Sequence, residues 1–127
     1  MAMALRVGLI LGGLLLLFMA FGFLTNPISS GADFGLNVEG AHGLTSIRAD
    51  MTAFFGVGGA CFIWGALKSR PDPLLIGAAL MLVTLVARLI SLAEFGSFDG
   101  YIIPMVVELV LGVLGIVGAK VLPPKTA

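Results

Sequence analysis

Four long apolar runs divide the chain, at about residues 5–24, 47–67, 73–94 and 101–122, and each has the length of a membrane-spanning helix. Polar and helix-breaking residues separate them. Thr25-Asn26-Pro27 ends the first run, because a proline disfavours helix in the residue before it. Residues 26–46 are polar and Gly-rich, with Phe34, Leu36 and Val38 interspersed. They are expected to form a roughly 20-residue extracytoplasmic loop, either lying on the membrane surface or folded back over the helices as a lid. KSRPDP, residues 68–73, is a short turn in which Pro73 suits a first helical position. EFGSFDG, residues 94–100, closes the third run, and Pro104 falls in the first turn of the fourth, where its missing donor is not needed. The pattern predicts an all-α fold, a bundle of four transmembrane helices forming a single domain over 1–127.

Composition sharpens this reading. Hydrophobic residues make up 59% of the chain and charged ones only 11%, whereas a soluble domain carries about 25% charged residues. The mean hydropathy of +1.14 excludes an ordinary water-soluble domain. Net charge is zero and no basic stripe is present, so nucleic acid is not an expected partner; membrane lipid is. The first run follows Arg6 and exceeds the ~7–15 residues of a signal-peptide core, and no A-x-A site follows it, so it reads as a retained span. Arg6, Lys68, Arg70, Lys120 and Lys125 all fall on one side of a four-span topology. Asp33, Glu39, Glu94 and Asp99 fall on the other. The positive-inside rule then places both termini in the cytoplasm.

Charges inside the spans are the candidate chemistry. Arg88 sits within LVTLVARLISLAEF, residues 82–95. In hydrocarbon an arginine costs about 2.5–3.5 kcal/mol at mid-depth, so it needs a partner. Glu108 lies about 10 Å into the fourth span and Arg88 about 9 Å from the end of the third, at a common level. Arg48 enters the second span at the same end. Thr84, Arg88 and Ser91 share a helix face; so do Tyr101 and Glu108, and so do Arg48 and Thr52. Faces bearing small and hydroxyl residues turn toward neighbouring helices in membranes. The expected cluster is therefore Arg48, Thr52, Thr84, Arg88, Ser91, Tyr101 and Glu108, with Arg88 paired to Glu108 and Arg48 near the same carboxylate. It serves either as a clamp fixing helix register or as a ligand site.

Other residues carry less. Glu39 and His42 form a Glu-x-x-His pair in the loop and are candidate contributors to the cluster, but a metal site needs more ligands than this. Cys61 is a lone cysteine in an apolar run and reads as packing. Trp64 and Tyr101 read as interfacial anchors. Gly8 and Gly12, Gly56, Gly58 and Gly59, and Gly112, Gly115 and Gly118 permit close helix approach. Nothing in the chain points to a particular cofactor.

IRADMTAFFGVGGA entering one span, ARLISLAEFGSFDG closing the next, and a glutamate in the last together resemble the domain-of-unknown-function 4345 family of small four-helix bacterial membrane proteins. The matching positions are Arg48, Ala49, the Gly56/Gly59 region, Arg88, Ser91, Gly100 and Glu108. Phe55-Gly56 stands near the place where many relatives have Tyr-Gly-Gly. The resemblance implies a bacterial inner-membrane location and brings no reaction with it. Three functions follow from the residues. The first is a pocket binding a lipid, quinone or similar amphipathic molecule, with Phe55 and Phe62 beside its tail. The second is an accessory or assembly subunit, as a homo-oligomer or in a larger membrane complex. The third is a membrane enzyme or proton-coupled transporter, which lacks a visible nucleophile–base pair or inverted repeat.

Overall fold

A computed structural model describes residues 1–123; Lys125, used in the orientation argument, lies outside them. The chain folds as α1 (Ala2–Thr25), α2 (Pro27–Asp33), α3 (Gly40–Lys68), α4 (Pro71–Phe95) and α5 (Ile102–Val121). The four longer helices are long and apolar enough to cross a membrane. The apolar runs of the sequence locate all four.

The segment between the first two spans differs from the expected loop. Asn26 caps α2, its Oδ1 accepting from the Ser29 N–H at 3.2 Å, and Pro27 occupies the first turn. An Asn followed by Pro is a helix-start signal even in a short polar stretch. Gly40, at φ +79°, then opens α3 well before residue 47. Only residues 34–39 remain as linker. Phe34 anchors this segment against Phe23 and Phe55, with ring centroids 5.6 and 5.8 Å away. Aromatic pairs at such distances add about 0.5–1.5 kcal/mol to the area they bury. The segment therefore packs on α1 and α3, and is not a lid over α4 and α5.

The long helices run alternately up and down, in the spatial order α1, α3, α4, α5, with α5 returning to α1. Glycines set the seams. A Cβ on Gly59 would lie 2.6 Å from the Gly13 carbonyl oxygen, and one on Gly13 would lie 2.8 Å from the Gly59 carbonyl oxygen. So α1 and α3 touch backbone to backbone. Gly77 and Gly115 both meet the ring of Phe62, which is fully buried at the centre of the bundle. Gly112 receives Leu82, and Gly118 receives Leu9. Small residues at these crossings allow the dispersion contact that drives helix association in lipid.

One end of the bundle carries Arg6, Lys68, Arg70 and Lys120, and is called here the terminal end. There Arg6 reaches from α1 to the end of α3. Its Nη1 donates to the Ala66 carbonyl, and its Nη2 donates to Ser69 Oγ at 3.1 Å. Ser69 is buried and left-handed (φ 51°), and the Arg70 N–H closes the turn on the Gly65 carbonyl at 3.0 Å. Arg6 thus satisfies a helix-terminal carbonyl that has no intrahelical partner. Hydrogen bonds from a charged donor contribute about 1.5–3 kcal/mol each. Arg6→Met is expected to lower the unfolding free energy in detergent by about 2 kcal/mol. Arg6→Lys, which lacks the fork of donors, should recover less than half; full recovery would mean that only the charge matters.

The far end is packed differently. From Leu82 to Val107 no residue is buried, whereas buried residues recur along α1 and α3. The α4–α5 hairpin is sealed at its terminal half and open at its far half.

Candidate functional site

The register of α4 against α5 is fixed by Ala78 at Gly115 and Leu82 at Gly112. One turn beyond Gly112 comes Glu108, which points between the helices because it shares their buried face with Leu111, Gly112 and Gly115. Arg88 lies beyond Leu82 and extends back to it. Arg88 Nε donates to Glu108 Oε1 at 2.6 Å. The two side chains differ in exposure: 30% for Arg88 and 7% for Glu108. The carboxylate is thus inside the hairpin, while the guanidinium spans from it to the surface.

Two features of this pair matter chemically. The contact is through Nε alone, so both terminal nitrogens of Arg88 are without a protein partner among the described residues. On the other side, Glu108 Oε2 is buried and accepts no hydrogen bond. Arg88 borders a groove of about 310 Å³. Its polar walls are Thr84, Ser91 and Tyr101, and its apolar walls include Leu92, Phe98 and Met105. Thr84 Oγ1 donates to the Leu80 carbonyl at 2.7 Å, which leaves it lone pairs with which to accept. Phe98 meets the Tyr101 ring edge-on at 6.1 Å and closes the groove at the α4–α5 connection. The arrangement offers a planar cation with a free donor fork, hydroxyls on the flank and apolar surface beside them. That chemistry suits a phosphate or carboxylate attached to an apolar body.

The structure brings Thr84, Arg88, Ser91, Tyr101 and Glu108 together. It separates Arg48 from them. Arg48 is exposed and borders a different groove, of about 430 Å³, between the α1–α2 junction and the first turns of α3. The reason is rotational. α3 packs most closely on α1 through the Gly13–Gly59 contact, which turns the Arg48 side toward α1 and α2 rather than toward α5. Arg48 and Arg88 lie within about one turn of the same height, but on different sides of the bundle. Thr52 borders neither groove, and its hydroxyl is buried without a partner. Glu39 is the exposed N-cap residue of α3 and makes no side-chain cap. His42 is exposed in the first turn of α3. Neither reaches either groove, because the segment that carries them belongs to α3 and its linker. Among the described residues no three His, Cys, Asp or Glu side chains are grouped to hold a metal ion. Phe55 is committed to the aromatic cluster and Phe62 to the bundle centre, and neither borders the Arg88 groove. Sequence reasoning missed the Arg6 clamp. Its only signal was an arginine set one turn inside an apolar helix, which read as a flanking charge.

The described residues thus form an all-α structure of five helices, four of them of membrane-crossing length, with an arginine–glutamate pair at the root of an open helical hairpin. The domain of unknown function DUF4345 matches residues 4–119, and the chain belongs to that family. The match takes in both grooves and all but the outermost residues of α1 and α5. No curated protein and no solved structure matches the chain.

Proposed function

We propose that the protein is a bacterial inner-membrane protein, both termini cytoplasmic, that binds the anionic or strongly polar head of an amphipathic molecule in the α4–α5 groove. The carrying observation is the half-used arginine: Arg88 lines the groove and is held by Glu108 through Nε, and its terminal nitrogens have no partner among the described residues. A guanidinium fixed at one edge is preorganised, so little side-chain entropy is lost when a ligand takes the other edge. Four helices supply the span, and the basic residues at the terminal end give the orientation by the positive-inside rule. The apolar walls at Leu92, Phe98 and Met105 would take the first carbons of a tail, as in a lipid or a quinone.

The test is native mass spectrometry of the detergent-purified protein with identification of what stays bound. Ser91→Trp fills the groove from an exposed position and leaves the core alone. It should abolish retention of the bound molecule. Arg88→Lys keeps the charge without the fork and should weaken retention by about tenfold or more, the equivalent of one charge-assisted hydrogen bond. Equal retention by wild type and Ser91→Trp would refute the reading.

A second reading has its own observation. The unburied stretch from Leu82 to Val107 is a helical hairpin with room for another protein against it. An accessory subunit docked there would cover the groove. Co-purification with a larger complex, lost in Ser91→Trp while no small molecule is retained by wild type, would favour that reading over the first.

A further inference from the structure

The larger groove, at the far end between the α1–α2 junction and α3, has no part in the function just proposed. We propose that it is a second, independent binding site, for a phosphate group, and that Arg48 is its cation. Arg48 borders the groove and lies within 4.0 Å of no carboxylate among the described residues; the one ion pair there is Arg88–Glu108. Its guanidinium makes no hydrogen bond among those residues either, whereas Arg6 and Arg88 each do. Apart from Arg70 at the terminal end, Arg48 is the one arginine among the described residues that makes neither an ion pair nor a side-chain hydrogen bond to another side chain or a carbonyl.

The opposite wall is built rather than incidental. Asn26 directs its carboxamide oxygen back to the Ser29 N–H, which leaves its NH₂ as a donor. Buried Pro27 fixes the turn that carries it. Thr25 and Thr45 donate their hydroxyl protons to the carbonyls of Phe21 and Ala41, so the donors left for an anion are Arg48 and the Asn26 amide. Ile28, 64% exposed, and Leu44 give the groove an apolar side. An arginine fork plus an amide donor beside apolar surface fits a phosphodiester with carbon attached.

Charge decides between sources of that phosphate. Asp33, Glu39 and Asp50 are exposed on the elements flanking the groove. Their field opposes a dissolved dianion more than a singly charged head, and free phosphate would leave Ile28 and Leu44 uncovered. A lipid head carries a single negative charge, brings its own glycerol and acyl carbons, and is held at the surface by its tails. The geometry therefore favours the lipid.

The experiment is native mass spectrometry of the purified protein in neutral detergent, titrated with phosphatidylglycerol and, in a parallel arm, with inorganic phosphate. Wild type should take up a phosphatidylglycerol molecule that Arg48→Ala binds about tenfold more weakly, the scale of one lost charge-assisted contact. Ser91→Trp should keep that molecule whatever the α4–α5 groove binds, so failure of either site is read separately. Binding by Arg48→Ala indistinguishable from wild type would overturn the proposal. Displacement of the Arg48-dependent lipid by millimolar inorganic phosphate would keep the phosphate site and overturn the lipid as its source.

Discussion

Arg88→Leu is expected to cost about 3 kcal/mol of unfolding free energy, while Arg88→Leu combined with Glu108→Leu costs less than either change alone. The single substitution leaves Glu108 buried, 7% exposed, with Oε1 now as orphaned as Oε2 already is. Breaking a buried pair from one side costs about 3–5 kcal/mol, and the lower end applies because Arg88 retains 30% of its exposure. Removing both charges removes the desolvation cost with them, and two leucines restore apolar contact across α4 and α5. Unfolding titrations of wild type, both single variants and the double variant in one detergent give the coupling directly. A double variant as unstable as the sum of the singles would mean that the two residues act independently, against the 2.6 Å contact. Should the double variant fold well and retain no bound molecule, the pair would be a device for presenting Arg88 rather than for holding helices.

The second large effect lies at the α1–α3 seam. Gly59→Ala should destabilise by about 3 kcal/mol, at the upper end of overpacking costs, because the new methyl meets a backbone oxygen that cannot rotate away. The contact would be 2.6 Å from the Gly13 carbonyl, with Leu17 at 3.0 Å behind it. Gly56→Ala, one turn earlier on the same helix, meets only the Ala20 Cβ at 3.7 Å. There the gain in helix propensity, about 1 kcal/mol in a helix interior, should appear as stabilisation. The pair is a sharp comparison: the same chemical change, on one helix, with opposite signs. Equal effects in the unfolding measurement would show that α1 and α3 are not in backbone contact.

How much of this was legible in the sequence follows from what each feature depends on. The spans depend on composition and length, which local sequence carries in full. Arg88 opposite Glu108 was also legible, because antiparallel neighbours joined by a short connection must meet near it, and both charges need the interior. Arg48 was placed at the right height and on the wrong side. Height follows from counting residues, but azimuth follows from which neighbour α3 packs on, and that was settled at Gly59, far along the helix. The early start of α3 was hidden for another reason: residues 40–46 are small and polar, so hydropathy cannot distinguish an exposed helical extension from a loop. The α2 turn was readable from Asn26-Pro27, a start signal that a search for apolar runs passes over.

The uneven sealing of the α4–α5 hairpin has a mechanical consequence. Its two helices are locked where Ala78 meets Gly115 and Leu82 meets Gly112, and free beyond. A pair of rods pinned at one end opens in proportion to distance from the pin. Arg88 stands about 9 Å along α4 from Leu82, so a relative tilt of ~5° there moves the helices apart by about 0.8 Å at its level. The glycine seam need not be remade for that to happen. Among the described residues the one side-chain hydrogen bond across the gap is Arg88–Glu108, and its length sets the aperture of the groove.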